Sequence, residues 1–288
     1  MRTLIRGMVT ASLFIFWQCS LAQTSVWQVS NGSNTVYFGG TIHMLRASDY
    51  PLPPAFEQAY VAADNLYFEI DLDDMDSIAS QMAMLQQLMY TDGQNLQTVL
   101  NEEAYRALSD YTSQLGIPMM LLQNMKPGML VSTLEIMAFQ QLGFTPQGVD
   151  LTFNQRAKAD GKAIAGLETA QEQISFLTRM GESEESEFVL LSLRDLETIA
   201  DNIDSMIEPW REGDVAALDD LFIGQMQAET PEVYEELLVR RNRAWMPEIE
   251  SMLADADTEF VLVGVAHMVG EDGLLQMLRR RGYQVRQL

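Results

Sequence analysis

The period of the hydrophobic pattern changes along the chain, and the changes mark its elements. Apolar residues alternate over 26–29 and 35–38 around Asn31-Gly32, which predicts a β-hairpin with a tight turn. Prolines at 51, 53 and 54 break the chain, and Pro54 can open a short helix reaching 63. The segment 65–72 (NLYFEIDL) alternates again and reads as a strand. From 75 to about 124 the period becomes helical: Ala104, Leu108, Tyr111 and Leu115 share one face, and Gly116 with Pro118 ends that run. Helices follow around 130–141 and 150–160, then a short strand at 162–167 and a long acidic helical stretch from 170 to 254. An apolar strand at 259–263, a helix at 272–281 and a closing strand at 283–288 complete the chain. No linker rich in Gly, Ser or Pro interrupts this order, and no low-complexity block does. The expectation is one α+β domain over 23–288, with a mixed sheet from the chain ends and a large helical insertion at about 75–255.

The two ends also resemble each other. TVYFG leads into Gly40-Thr41-Ile42-His43, then a helix and the strand NLYFEID; EFVLV leads into Gly264-Val265-Ala266-His267, then a helix and the strand YQVRQL. The chain has only two histidines, and each stands three residues after a glycine at the end of an apolar strand. A lone histidine in a turn is ordinary; a matched pair points to a site. Two units packed about a pseudo-twofold axis would bring both imidazoles together beyond the carboxyl ends of the strands, where ligands commonly lie. Gly40 and Gly264 would let the backbone turn or approach a ligand closely. Glu69 and Asp71, two apart in a strand, would share one face of it. Two imidazoles with one or two carboxylates form a donor set for a first-row divalent metal with positions open to water and substrate.

Charge and composition narrow the partners. Eighteen Lys and Arg against 41 Asp and Glu give a formal charge of −23, which argues against a nucleic-acid backbone or an anionic membrane surface. One cysteine excludes both a disulfide framework and a Cys-based zinc site within the chain. Arg2 and Arg6, an apolar stretch over 8–17, and small residues Ser20 and Ala22 read as a signal peptide over 1–22. That stretch is shorter than the roughly 20 residues of a spanning helix, so cleavage would export the chain to the periplasm or medium without a membrane span. Met119, Met120, Met125, Met129 and Met137 read as adaptable core fillers, and the acidic run 181–187 as a solvated loop or helix start.

Five blocks in order carry a family resemblance. GGTIHMLRASDYPLPPAFEQAYVAADNLYFEIDL, GVDLTFNQRAKADGKAIAGLETAQEQISFL, PWREGDVAALDDLF, RRNRAWMPEIESML and VGVAHMVGEDGLLQMLRRRGYQV together resemble the TraB/GumN family, relatives of the PrgY and Tiki proteins. The resemblance implies a Tiki-like fold related to erythromycin esterase and the ChaN haem-binding proteins. Tiki proteins are divalent-metal-dependent proteases whose proposed site pairs two Gly-x-x-His motifs with a glutamate. Carried over, this makes His43, Glu69 and His267 the central residues and the ligands of a divalent ion such as Mn²⁺, Co²⁺ or Zn²⁺. Arg241 becomes the basic residue that steadies a developing oxyanion. Asn242 would orient Arg241 or the substrate, and Glu168 would face the same cleft; Asp150 reads as the N-cap of its helix. The function implied is an exported metal-dependent hydrolase, peptidase-like, acting on peptide or protein. Two alternatives stand beside it: a non-catalytic protein that captures a peptide or small ligand, and a metal-free hydrolase with His43 as general base oriented by Glu69.

Overall fold

The Asn-Gly turn forms the hairpin. Strands β1 (Val26–Ser30) and β2 (Thr35–Thr41) pair antiparallel, and Asn31 Oδ1 accepts the Ser33 and Asn34 N–H groups in the turn. The structure is a computed structural model that describes residues 23–75 and 77–288. The signal peptide expected over 1–22 lies outside the described residues.

After the hairpin come α1 (Pro54–Ala62), β3 (Asn65–Phe68), α2 (Ile78–Leu88), α3 (Leu96–Val99), α4 (Glu102–Gln114), α5 (Pro127–Gln141), α6 (Val149–Asp160) and β4 (Ala163–Gly166). The strand expected over 65–72 is shorter because Ile70 and Asp71 fold over Gly166; a Cβ there would lie 2.7 Å from the Asp71 nitrogen and 2.9 Å from Ile70 Cα. The long stretch expected over 170–254 divides into α7 (Ala170–Arg179), α8 (Glu185–Glu212), α9 (Val215–Asp219), α10 (Gln225–Glu229), α11 (Pro231–Tyr234) and α12 (Arg240–Ala254). Wide π turns at Asp220–Gly224 and Glu235–Val239 join the shorter pieces, the second directly before α12. The chain ends with β5 (Glu259–Gly264), α13 (Leu274–Arg280) and β6 (Gln284–Gln287).

The protein is α+β with a six-stranded mixed sheet in the order β4-β3-β5-β2-β1-β6. β4, β3, β5 and β2 are mutually parallel, and β1 alone runs against its neighbours β2 and β6. The two Gly-x-x-His strands are neighbours, with Thr41 paired to Gly264. Their surroundings differ: β3 lies beside β5, whereas β1 separates β6 from β2. Trp27, Phe38, Phe56, Trp210, Trp245 and Phe260 fill the core around the sheet. A second core, with Leu96, Leu108, Leu130 and Leu193, joins α3, α4, α5 and α8. Among the described residues no helix is long and apolar enough to cross a membrane.

Candidate functional site

Four parallel strands end at one edge of the sheet, and each delivers a side chain there. β2 leads to His43, β3 to Glu69, β4 to Glu168 and β5 to His267. The pairing of β3 with β4 continues past the strands: Leu167 N donates to Phe68 O and Glu168 N to Glu69 O, which sets the two glutamates side by side. Arg241 reaches them from the first turn of α12. Its Nη2 donates to Glu69 Oε2 and, at 2.7 Å, to Glu168 Oε1; its Nε donates to both Glu168 oxygens at 3.1 and 3.0 Å. Its Nη1 donates to Leu237 O at 3.2 Å and to His267 Nε2 at 3.0 Å. The guanidinium is thus engaged at all three nitrogens and acts as the hub of the cluster.

The hydrogen-bond network assigns the His267 tautomer. Arginine only donates, so His267 Nε2 accepts, and Nδ1–H donates to Asn242 Oδ1 at 2.7 Å. Asn242 Nδ2 in turn donates to the His267 and Asp272 carbonyls at 3.2 and 2.9 Å. Asn242 therefore holds His267 rather than Arg241. Burial disfavours the imidazolium and outweighs Glu69, so His267 is pushed down to about 3 and stays neutral. Burial also works against the Glu69 anion, but Arg241, helped by His43 and the Gly264 N–H, overcomes it and holds Glu69 below the usual carboxylate range. For Glu168 burial wins over Arg241, and its carboxyl is raised.

His43 is different because it faces outward. Its side chain is 66% exposed, against 10% for Glu69 and Arg241 and 4% for His267. Its Nδ1–H donates to Asp150 Oδ2 at 2.9 Å, and Thr41 Oγ1 donates to the other Asp150 oxygen at 2.8 Å. Asp150, as a neighbouring charge and as a hydrogen-bond acceptor, pushes the imidazole up to about 9. Sequence rules read Asp150 as an N-cap, but Gly148 occupies that position and Asp150 is the second residue of α6. Its carboxylate serves His43 because α6 abuts the backbone of residues 42–43, with Val149 N donating to Ile42 O. Gly148 makes this approach possible: a Cβ there would lie 2.2 Å from the His43 carbonyl oxygen. The partner is 107 residues from His43 in sequence, so no local motif signals it. Gln173 on α7 was also missed; its Nε2 lies 3.4 Å from both Glu69 Oε2 and Glu168 Oε1.

Gly264 leaves the gap on which the group converges. A Cβ there would be 3.2 Å from Glu69 Oε1, 3.7 Å from His267 Cδ2 and 3.8 Å from His43 Nε2, and the Gly264 N–H itself donates to Glu69 Oε1 at 2.8 Å. Gly40 packs against Val265, its carbonyl accepting from Trp210 Nε1 at 2.7 Å. Asp71 stands apart, accepting the Asp73 N–H in its own turn.

The donor set argues both ways about a divalent ion. Each imidazole has its Nδ1 anchored by an acceptor, Asp150 or Asn242, as metal-binding histidines do. The His267 Nε2 lone pair, however, is taken by Arg241, and both Glu69 oxygens carry hydrogen bonds. A guanidinium already supplies the positive charge beside Glu69. As the side chains stand they do not fit a metal; among the described residues no three His, Cys, Asp or Glu are grouped to hold one.

Parallel strands that bring His267, Glu69 and Glu168 onto a buried arginine, with His43 facing outward beside them, make a His–carboxylate–Arg centre at the strand ends. The chain belongs to the TraB/PrgY/gumN family, whose profile matches residues 25–287. It is similar to "Uncharacterized protein YbaP" of Escherichia coli (strain K12), 26% identical over 251 residues, covering 86% of this chain and 89% of that protein. It is also similar to "Metalloprotease TIKI2" of Danio rerio, 25% identical over 303 residues, covering 86% of this chain and 57% of that longer protein. No solved structure matches the chain.

Proposed function

We propose that the protein is an exported hydrolase of peptide or protein substrates in which His43 handles the proton. The observation that carries this reading is the exposed, Asp150-anchored imidazole opening onto buried Glu69, Arg241 and His267. Neutral His43 takes a proton from water at Nε2 while the water oxygen attacks the scissile carbonyl carbon. The tetrahedral intermediate collapses as His43 returns that proton to the leaving nitrogen. Asp150 holds the ring in orientation and stabilises the transient imidazolium, the part a carboxylate plays in Ser-His-Asp triads. Glu69 adds negative potential beside the same ring, and Arg241 with the Gly264 N–H keeps Glu69 ionised and fixed. Arg241 acts here as a positioning residue, since its three nitrogens are already engaged by the protein.

A distant relative bearing the name Metalloprotease supports peptide-bond hydrolysis as the reaction class. The same name, with the anchored Nδ1 atoms, favours a second reading in which Mn²⁺, Co²⁺ or Zn²⁺ joins His43, Glu69 and His267. That reading requires Arg241 Nη1 to release His267 Nε2. Incubating the mature protein with a peptide library, in chelator and with each ion added, decides between them. Cleavage that persists in chelator supports the His43 mechanism. Cleavage that needs an ion overturns it in favour of the metal, and tight retention of uncut peptide under every condition means a capture protein.

A further inference from the structure

A groove of about 700 Å³ lies between the end of α7, the start of α8 and the segment from Glu229 to Arg240. Its floor is apolar, with Phe176, Phe188, Leu191 and Val233. Its rim is acidic on both sides: Glu182, Glu184 and Glu187 on one, Glu229 and Glu232 on the other. None of these five has an ion-pair partner among the described residues. The two arginines of the groove, Arg179 and Arg240, are both committed to Glu236. Acidic residues at the start of α8 complement its helix dipole, but that does not account for Glu229 and Glu232 on the opposite wall.

The groove adjoins the candidate site. Phe176 forms part of its floor, and the Arg241 guanidinium stands 5.9 Å over the same ring. Arg240, the residue before Arg241 on α12, lines the groove. One aromatic ring therefore separates it from the Arg241–Glu69–Glu168 cluster.

We propose that this groove binds a cationic, apolar-containing segment of the peptide substrate, with lysine or arginine against the rim and large apolar side chains on the floor. Calling that segment substrate rests on the hydrolase reading; the binding does not. An apolar floor accepts aliphatic and aromatic side chains, and unpaired carboxylates along both walls favour a positive ligand and repel a negative one. The whole chain is acidic, so general attraction has to be separated from the groove.

The test is fluorescence anisotropy on the His43→Ala protein, with a labelled hexapeptide alternating lysine with leucine and phenylalanine. Its counterpart carries glutamate in place of lysine. The lysine peptide is expected to bind about tenfold tighter or better than the glutamate one, with the preference shrinking as salt is raised. Glu184→Lys, Glu187→Lys and Glu232→Lys together should remove that preference. Reversing Glu208 and Glu212 at the far end of α8 and Asp257 just before β5 should change affinity by no more than about twofold, as expected of screened distant charges. If the reversed groove protein does not fold, the same three positions changed to Gln should lower affinity by about threefold for the loss of attraction alone. Equal affinity for the two peptides, or an equal loss in the distant-charge variant, overturns the proposal. The wild type is assayed for cleavage of the same peptide in parallel. Binding in the groove, with the peptide library left uncut in chelator and with every ion, overturns the hydrolase reading and leaves the groove standing, whereas cleavage with no charge preference does the reverse.

Discussion

At the residue scale, chemistry is divided between an exposed imidazole and a buried ionic hub. With Asp150 holding His43 up to about 9, the neutral base is scarce at pH 7 and grows as pH rises. Hydrolysis should therefore increase with pH and level off above about 9. Asp150→Asn is expected to lower the rate by about 10³–10⁴-fold and move the rising limb toward the ordinary histidine value of about 6.5. An unchanged pH–rate profile in that variant would remove His43 as the base. Arg241 invites a different test. Its removal leaves Glu69 and Glu168 buried without their cation, so Arg241→Met should destabilise the fold by about 3–5 kcal/mol, measured by denaturant unfolding. A loss below about 1 kcal/mol, the range of surface pairs, would contradict the buried-hub description.

At the element scale, the carboxyl edge of the sheet does the assembling, and helices deliver the partners. Strand and helix spans were legible in the sequence wherever a local rule decided them, as with the Asn31-Gly32 turn, Pro54 opening α1, and Gly116 with Pro118 closing the α4 run. β3 was overextended because alternation continues through Asp71 while its ladder stops at Phe68, where the chain crosses Gly166. The paired Gly-x-x-His motifs pointed to His43 and His267. Asp150 stayed hidden because its meaning depends on where α6 docks. That docking is a measurable feature. Gly148→Ala would force α6 away from the 42–43 backbone, so kcat/KM should fall by about 10²-fold, as misplacement near 1 Å does. The His43 titration followed by NMR should move down from about 9 toward 6.5 in the same variant. A full retention of both would show that the close approach is not required.

At the scale of the whole molecule, the two ends of the sheet bury carboxyl groups in different ways. The carboxyl edge compensates its glutamates with Arg241; the opposite end buries Glu259, 4% exposed at the start of β5, with Oε2 unpartnered. Burial, reinforced by Asp255, Asp257 and Asp64, pushes Glu259 up to about 7. The unfolded chain loses that proton near 4.5, so the folded state holds more protons between about 4.5 and 7 and stability falls as pH rises through that window. Glu259→Gln should thus raise the thermal midpoint relative to wild type at pH 8 and little at pH 5. A difference independent of pH would contradict the buried-acid description. The family blocks named His43, Glu69, Glu168, Arg241 and His267, and the pairing between them became readable only with the fold. Arg241 meets Glu69 across 172 positions and Glu168 across 73, separations that no spacing rule spans.

His43 is the group that moves the proton in the proposed reaction, and its removal tests this most directly. Steady-state hydrolysis of a peptide cleaved by the mature wild type is measured beside His43→Ala, in chelator, with circular dichroism confirming that the variant is folded. Two-thirds exposure of the side chain makes the substitution structurally mild. Turnover is expected to fall by at least about 10²–10⁴-fold, the range of a general base, while affinity for the uncut peptide is retained. Hydrolysis undiminished in the folded His43→Ala protein would contradict that role.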